Sequence, residues 1–398
     1  MINFRDITTE NPTEEIWKYL RYFLDINYTS NKISRLHNTE KDRTSKNDIK
    51  KQAQQIGYCI RQAEEYFQAS SNVSLVTRPL LLYYGAVSLS EALILLKNDG
   101  NYSIDKQRNS NMYKKHGLDK KFESTILDPN TDAFFQSISC KVSLNERDKP
   151  VGHFANFYQS LEPEFFQVPV TQLYSNKTAH ISYIMPMPSS EYIPLELIKK
   201  VKFNTSSLMK NLPDMYSALS EFGIKPNLCK GSVKVETKLV YKNMNGKENH
   251  DKTIEKHDFF IDGIIDQQKE ILLGRLQKLN KSIKLENDFN FNIHLQMQKE
   301  YTQPDTNKIY YPDIVEDIFG KKFYIIDSSI YLAEATTFYM ILFCLGMLCR
   351  YYPDKWVARI NKDVMTTEII NFLLNIFYRK FPNLILDQMT NTKNYFHV

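Results

Sequence analysis

Apolar side chains recur every three or four residues over much of the first hundred residues. In EEIWKYLRYFLDI, from Glu14 to Ile26, they share one face, which predicts an amphipathic helix. The same spacing predicts a second helix from Lys46 to Gln68. The segment RPLLLYYGAVSLSEALILLKNDG is apolar nearly all round, and its Pro79 and Gly100 suit the first turn and the end of a helix. We expect a central, buried helix there.

Between about Leu127 and Ile325 the pattern changes to short, alternating stretches that favour strands. In SVKVETKLVYKNMNGKENHDKTIEKHDFFI, two alternating runs flank Asn245-Gly246, a strong turn signal, which predicts a β-hairpin. KKFYIID predicts a short strand. LELIKKVKFNTSSLMKNLPDMYSALSEFG predicts helix with a break at Pro213, and helices resume from Ile330 to about Phe381.

The stretch LFCLGMLCRYYPDKW closes an apolar helix and is the only transmembrane candidate in this pattern. Its charge-free part, from Ala335 to Cys349, is about fifteen residues, fewer than the roughly 20 that cross a bilayer. Pro353 disfavours helix in the residue before it, so the helix should end near Tyr351 or Tyr352. We predict a buried helix and no membrane partner.

Together these patterns predict an α+β fold that is predominantly α. The N- and C-terminal segments should form one helical bundle, with the β-containing middle region inserted between them. The regions are an N-terminal helical region (1–125), a mixed α/β middle region (126–328) and a C-terminal helical region (329–398) packed on the N-terminal helices.

Composition narrows the class of protein. With 42% hydrophobic and 24% charged residues, the chain of 398 residues is an ordinary globular sequence and not a disordered one. A net charge of +5 permits contact with nucleic acid without requiring it. The 5 cysteines form no CxxC pair, which argues against a disulfide framework or a zinc site. The first residues lack the basic and apolar pattern of a secretory signal, so we expect a cytoplasmic protein.

Several catalytic motifs are missing from the sequence. Neither G-x-G-x-x-G nor G-x-x-x-x-G-K-[ST] occurs, and there is no H-E-x-x-H or G-x-S-x-G. We therefore predict no cofactor and no metal, and whether the chain is an enzyme stays open at this point.

The strongest candidate for chemistry is the basic segment DKQRNSNMYKKHGLDKK, predicted as a loop after the central helix. Its cations and aromatic ring could bind phosphate and stack on a base, while Arg108 and His116 could serve acid-base or charge-stabilising roles in RNA cleavage. A solvated loop accounts for the same composition and is the favoured interpretation. The candidate nucleic-acid-binding residues are Lys106, Tyr113, Lys114, Lys115, Lys120 and Lys121.

Two other segments carry weaker signals. HDKTIEKHD places His250 and His257 among carboxylates, which are suitable ligand types for a metal, but we favour an exposed hairpin arm. YPDIVEDIFGKKFYIID resembles nuclease carboxylates followed by lysine, yet the required D/E-x-K at the head of the following strand is absent, so a turn is favoured. The residues concerned in the second segment are Asp313, Glu316, Asp317, Lys321 and Lys322.

Three charges lie on largely apolar helices, namely Glu91, Glu334 and Arg350. Isolated buried charges are costly, so each should have a partner or access to water. We predict a Glu–Arg contact that holds the N- and C-terminal helices together, in preference to a catalytic role.

RPLLLYYGAVSLSEALILL, then KKHGL, then LFCLGMLCRYYPDKW resemble the bacterial YaaC-like protein family in order and separation. The resemblance covers residues 78–118 and about 30 residues from Ile330, and it is weak between them. It implies a bacterial cytosolic helical protein and conveys no reaction. Besides Glu91 and Glu334, the signature positions are Arg78, Pro79, Tyr84, Gly85, His116, Gly117, Leu118, Arg350, Tyr351, Pro353 and Trp356.

A looser similarity is to HEPN-type RNases, in which Arg and His are separated by four to six residues at the end of a bundle helix. Here seven residues separate Arg108 from His116. We therefore rank a metal-independent RNase below a non-catalytic interaction or nucleic-acid-associated subunit. The expected partners are RNA or single-stranded DNA, and a protein partner or second copy. A role in bacterial defence or stress follows only from the type of family.

Overall fold

The described part of the chain covers most of its length. The computed structural model describes residues 3–37, 43–109, 115–123, 130–163, 165–174, 177–186, 194–244, 247–264, 269–270, 272–274, 284–289, 292–301, 314–325 and 332–397.

Helices dominate both ends of the chain. The main α-helices are α1 (Pro12–Arg21), α2 (Ile26–His37), α3 (Arg43–Ser70), α4 (Arg78–Leu96), α5 (Ile104–Arg108), α6 (Thr131–Ser137), α7 (His153–Ser160), α8 (Leu195–Ile198), α9 (Thr205–Lys210), α10 (Tyr216–Glu221), α11 (Glu334–Tyr351), α12 (Pro353–Lys362) and α13 (Val364–Thr390). Short 3-10 helices cover Tyr22–Leu24 and Pro213–Met215.

The strands lie mainly in the middle of the chain. They are β1 (Asn3–Thr8), β2 (Leu118–Phe122), β3 (Ile138–Val142), β4 (Phe165–Tyr174), β5 (Lys177–Pro186), β6 (Phe203–Asn204), β7 (Leu228–Met244), β8 (Lys247–Asp262), β9 (Lys284–Phe289), β10 (Asn292–Tyr301), β11 (Ile314–Glu316), β12 (Lys322–Ile325) and β13 (Thr392–His397). The predicted α+β, predominantly α fold class is confirmed.

The chain forms two compact units. The first, which we call the helical unit, comprises residues 1–162, 192–224 and 332–398, and the second, the sheet unit, comprises residues 163–191 and 225–331. The sheet unit holds an eight-stranded sheet in the order β11-β12-β7-β8-β10-β9, with β4 pairing in parallel with β7 and antiparallel with β5. The helical unit contains the small sheet β2-β3-β6 and the parallel pair β1-β13.

The predicted hairpin is confirmed by the pairing of β7 with β8. The two strands run antiparallel from Met244 opposite Lys247 to Lys230 opposite Asp262. The predicted turn, Asn245-Gly246, lies outside the described residues. The predicted strand in KKFYIID is β12, which pairs with β7.

Two apolar helices, α4 and α11, are buried in the helical unit. Gly85 lets α4 approach α3, because a Cβ atom there would lie 2.7 Å from Phe67 Cδ2. Among the described helices, α4 is long and apolar enough to cross a membrane, but 78% of it is buried. The helix α11 qualifies only together with α12, which is bent from it by 107°. The prediction that α11 is the only such candidate is therefore wrong. Its predicted end at Tyr351 is confirmed.

Helix boundaries were less well predicted than helix positions. The helix expected over Glu14–Ile26 ends at Arg21, continues as the 3-10 turn and restarts at Ile26. The last helix runs to Thr390, beyond the predicted end near Phe381, and encloses Pro382. Leu384, Ile385 and Leu386 after the proline are buried, and this burial stabilises the continuation.

Candidate functional site

The helical unit contains a cavity of about 460 Å³ formed by α3, α4, α5, α7 and the segment before β2. Its wall combines acidic, basic and aromatic side chains, and we call it the charged cavity. The lining residues are Tyr58, Cys59, Gln62, Val87, Ser88, Glu91, Ile104, Arg108, Lys115, His116 and His153.

Two facing glycines bring the two cavity histidines together. Gly117 (φ +84°) and Gly152 (φ +95°) adopt left-handed conformations, and a Cβ on Gly152 would lie 2.6 Å from Gly117 Cα. The close approach allows His153 N to donate to Lys115 O and Phe154 N to donate to His116 O, both at 3.0 Å. Residues on either side of this contact therefore line the same cavity.

Glu91 is buried on α4, where its Oε1 atom accepts a 2.7 Å hydrogen bond from Gln107 Nε2 on α5. Burial raises the pKa of Glu91 to about 7, and the Gln107 hydrogen bond acts in the opposite direction. The carboxyl group is thus close to half-protonated at neutral pH, as a proton donor or acceptor needs to be.

The histidines are held by hydroxyl groups of α4. His116 Nδ1 lies 3.0 Å from Tyr83 OH, and His153 Nε2 lies 2.8 Å from Ser90 Oγ. Burial lowers the pKa of His153 to about 4, and His116 acts in the same direction. Burial also lowers the pKa of His116, with Arg350 and Lys120 adding to the effect. Both shifts favour the neutral form of the ring at pH 7.

Arg108 and Lys115 add positive charge to the wall. Both residues are exposed, and neither forms an ion pair with a described residue. Cys59 is a poor nucleophile in this setting, because burial and then Glu91 raise the pKa of its thiol. Arg108 also acts electrostatically on Asp105, whose pKa it helps to lower. The cavity thus combines exposed cations with groups that can exchange protons.

A second feature is a surface where cations lie over tyrosine rings. Lys120 Nζ is 3.3 Å from the centroid of Tyr351, and Lys355 Nζ is 5.3 Å from that of Tyr352. Arg350 lies 5.2 Å from the Tyr351 ring, which is 51% exposed. We call these five residues the aromatic patch.

Arg350 connects the aromatic patch with α4. Its Nη1 atom donates a 2.7 Å hydrogen bond to Tyr84 OH, next to the Tyr83 that holds His116. Because Arg350 and Lys120 both lower the pKa of His116, the patch and the cavity are electrostatic neighbours.

The predicted basic segment is divided among several environments. Lys115, Arg108 and His116 line the charged cavity, whereas Lys120 belongs to the aromatic patch. Lys106 contacts Asp48 at 3.7 Å and donates to Asn101 Oδ1. Lys121 follows Lys120 on β2 and so points to the opposite face of that strand. Tyr113 and Lys114 lie outside the described residues.

The prediction of one continuous loop over residues 105–121 is wrong at both ends. Arg108 is the last residue of α5, whose cap Ser103 accepts a hydrogen bond from Lys106 N. Lys120 and Lys121 lie in β2, which pairs with β3. The strand β2 forms because it pairs with β3, about 20 residues later in the sequence. A pattern within residues 105–121 alone does not reveal this pairing.

The predicted Glu–Arg contact is also wrong, since each charge has another partner. Glu91 is bound by Gln107, and Arg350 by Tyr84. Glu334 accepts a 2.8 Å hydrogen bond from Lys380, which also binds Asp214.

Other signature residues join α4 to the C-terminal helices. Arg78 Nη2 donates to Asn375 Oδ1 at 2.8 Å, and Trp356 Nε1 donates to Val76 O at 3.0 Å. Tyr84 stacks on Tyr66 of α3 at 5.9 Å. These positions have packing roles around the cavity and the patch.

The segment HDKTIEKHD is not the exposed arm that its composition favoured. His257 is fully buried, with Nε2 3.4 Å from Glu255 Oε2, because β8 lies between β7 and β10. Asp258 is buried beside His294 at 2.8 Å. The His250 side chain lies outside the described set, and among the described residues no three His, Cys, Asp or Glu side chains are placed to hold a metal ion.

The nuclease-like segment forms a turn, as favoured from the sequence. Glu316 pairs with Lys322 at 3.0 Å between β11 and β12, and Asp317 Oδ1 accepts from the backbone N–H groups of Phe319 and Lys321. Asp313 lies outside the described residues.

Sequence reasoning missed His153 and the residues that orient the cavity, namely Tyr83, Ser90 and Gln107. The sequence does contain a signal for His153. A histidine lies next to a glycine twice, as His116-Gly117 and, in the reverse order, as Gly152-His153. Only the contact between their backbones shows that the pairs belong together.

Comparison with known proteins identifies the family but not a reaction. The model of the YaaC-like protein family matches residues 18–389, and the match includes both the charged cavity and the aromatic patch. No curated protein and no solved structure matches the chain. Since the match covers nearly the whole sequence, the chain belongs to the YaaC-like protein family.

Proposed function

We propose that this chain is a nucleic-acid-associated subunit that binds single-stranded RNA or DNA through the aromatic patch. The observation that carries the proposal is the half-exposed Tyr351 ring, which has Lys120 Nζ at 3.3 Å and Arg350 Cζ at 5.2 Å from its centroid. Single strands bind to surfaces that combine aromatic rings, which stack on bases, with cations that contact phosphates.

The chemistry of the patch favours binding without sequence preference. Every base has a face that can stack on a tyrosine, and stacking contributes about 1–3 kcal/mol per base. Lys120, Arg350 and Lys355 supply charges whose contacts with phosphate release counterions, so binding should weaken as salt rises.

The test is retention of end-labelled RNA and single-stranded DNA on a gel at several salt concentrations. Tyr351→Ala should weaken binding by roughly ten-fold through lost stacking. Lys120→Ala should reduce the slope of log K against log salt concentration by about one, because it removes one phosphate contact. Lys18→Ala, which removes the same charge from α1, is the control and should bind like the wild type. Equal retention by Tyr351→Ala and the wild type would refute the patch as the binding surface.

A second candidate function is metal-independent RNA cleavage of the HEPN type. Arg108 and His116 lie on the wall of one cavity despite their spacing of seven residues, and this favours the hypothesis. His116 would exchange a proton, and Arg108 would stabilise charge on the phosphate.

The same gel separates the two functions when total RNA is incubated with and without Mg²⁺. Cleavage by the wild type in both conditions, and its loss by about 10² or more in His116→Ala, is expected of the RNase. Retention without cleavage supports the binding subunit.

The proposal includes a bacterial cytoplasmic location and a protein partner or second copy of the chain. Light scattering of the purified protein tests self-association. A role in defence or stress rests on the family resemblance, and phage plating on cells that carry the wild type or Tyr351→Ala tests it.

A further inference from the structure

We propose that the charged cavity is a binding site for a small phosphate monoester of about nucleotide size, separate from the surface that binds a nucleic-acid strand. The phosphate would lie against Arg108 and Lys115, and the uncharged part of the ligand would meet Glu91, His116 and His153.

The cations favour a monoester over a diester. Arg108 and Lys115 are both exposed and line the same cavity, so two positive charges face one ligand, with Asp105 as an electrostatic neighbour of Arg108. A phosphate monoester carries close to two negative charges at pH 7, whereas a phosphodiester carries one. Arginine also binds two phosphate oxygens at once through its planar group.

Three other residues of the wall, Glu91, His116 and His153, offer hydrogen-bonding positions that the described side chains leave unfilled. His116 is held through Nδ1, so its Nε2 atom is available. Glu91 Oε1 is occupied by Gln107, but Oε2 lies 3.6 Å from His153 Nδ1, which is too long for a good hydrogen bond. A ligand hydroxyl or ring nitrogen could bind there.

Size and shape agree with such a ligand. The volume of about 460 Å³ lies within the range of about 300–1,000 Å³ that small-molecule sites show. Tyr58 contributes a ring that is 57% exposed, and such a ring can stack on a base or a sugar. Ser88 is already bound to Gln62 at 3.0 Å, which keeps that part of the wall in place.

Isothermal titration calorimetry of the full chain tests the proposal with adenosine 5′-monophosphate, ribose 5-phosphate and inorganic phosphate as probes. The cyclic 3′,5′-monophosphate of adenosine serves as a diester of similar size, and adenosine as the probe without phosphate. We expect at least one monoester to bind at least ten-fold more tightly than the cyclic diester and adenosine.

Variants connect the binding to the cavity. Arg108→Ala and Lys115→Ala should each weaken monoester binding about ten-fold, while Lys50→Ala, an exposed lysine of α3 that does not line the cavity, should leave it unchanged. Tyr351→Ala should retain monoester binding even if it no longer binds RNA. The proposal for the charged cavity and the proposal for the aromatic patch are therefore tested separately.

Three results would overturn the proposal. The first is no binding of any monoester at millimolar concentration. The second is equal affinity for the monoester and the cyclic diester, and the third is wild-type affinity in both Arg108→Ala and Lys115→Ala.

Discussion

Glu91 is an acidic residue on α4, one of the two apolar helices buried in the helical unit, and its environment controls its charge. Its ordinary pKa is about 4.3, and burial raises the pKa to about 7 in the folded protein. The folded state therefore binds more protons than the unfolded state between these two values. The free energy of unfolding therefore falls as pH rises from the unfolded-state pKa to the folded-state pKa of Glu91. Above the folded-state pKa this contribution to stability is lost completely.

Glu91→Gln should remove this pH dependence while retaining a hydrogen-bond acceptor for Gln107. Between pH 5 and pH 8, the free energy of unfolding of the wild type should fall relative to the variant by on the order of 2 kcal/mol. Urea unfolding followed by tryptophan fluorescence measures it, because both tryptophans, Trp17 and Trp356, are buried in the helical unit. If the free energies of unfolding of the wild type and Glu91→Gln differ by the same amount at every pH, Glu91 does not have the raised pKa.

At the scale of elements, Lys380 joins three parts of the helical unit. It lies on α13 and binds Glu334 at the start of α11 and Asp214 in the second 3-10 helix. Burial lowers the pKa of Lys380, but Asp214 and then Glu334 raise it more, and the net change is upward. The amine is therefore charged and offsets two buried carboxylates.

Lys380→Met should cost roughly 3–5 kcal/mol of the free energy of unfolding, because it leaves two buried carboxylates without their lysine. The triple variant Lys380→Met, Asp214→Asn, Glu334→Gln should recover much of this loss, since no uncompensated charge remains. Urea unfolding at pH 7 compares the variants. If the triple variant is no more stable than Lys380→Met, the loss comes from packing and not from charge.

At the scale of the whole molecule, the helical unit is assembled from three separate segments of the chain. Its first and last strands, β1 and β13, pair in parallel over six positions, from Asn3 opposite Thr392 to Thr8 opposite His397. Phe396 is buried at this pair, and Arg379 Nη2 of α13 donates to its carbonyl oxygen at 2.9 Å.

Deletion of residues 392–398 should lower the free energy of unfolding by about 2 kcal/mol or more, because it removes the strand pair and the buried Phe396 ring. Amide exchange in β1 should become fast. His397→Ala, which removes an exposed contact with Asp6 and a ring contact with Tyr395 at 6.4 Å but leaves the strand pair, should cost much less than the deletion. Unchanged protection of β1 after the deletion would show that β13 does not hold it.

The sequence by itself determined the elements whose pattern is local. The spacing of apolar residues located α3, α4 and α11, and Pro353 located the end of α11, because helix periodicity and proline geometry act within a few residues. Alternation around Asn245-Gly246 located β7 and β8 in the same way. Arg108 and His116 were recognised as a candidate pair from residue type alone.

Only the tertiary structure decided which residues share a site. His153 is brought to His116 by a contact of two glycines 35 residues apart in sequence, and Lys120 reaches Tyr351 across more than 200 residues. The partners of Glu334 and Arg350 were predicted wrongly, since several side chains could satisfy each charge and the sequence does not rank them. Such choices depend on distances between remote segments, which periodicity within one segment does not encode.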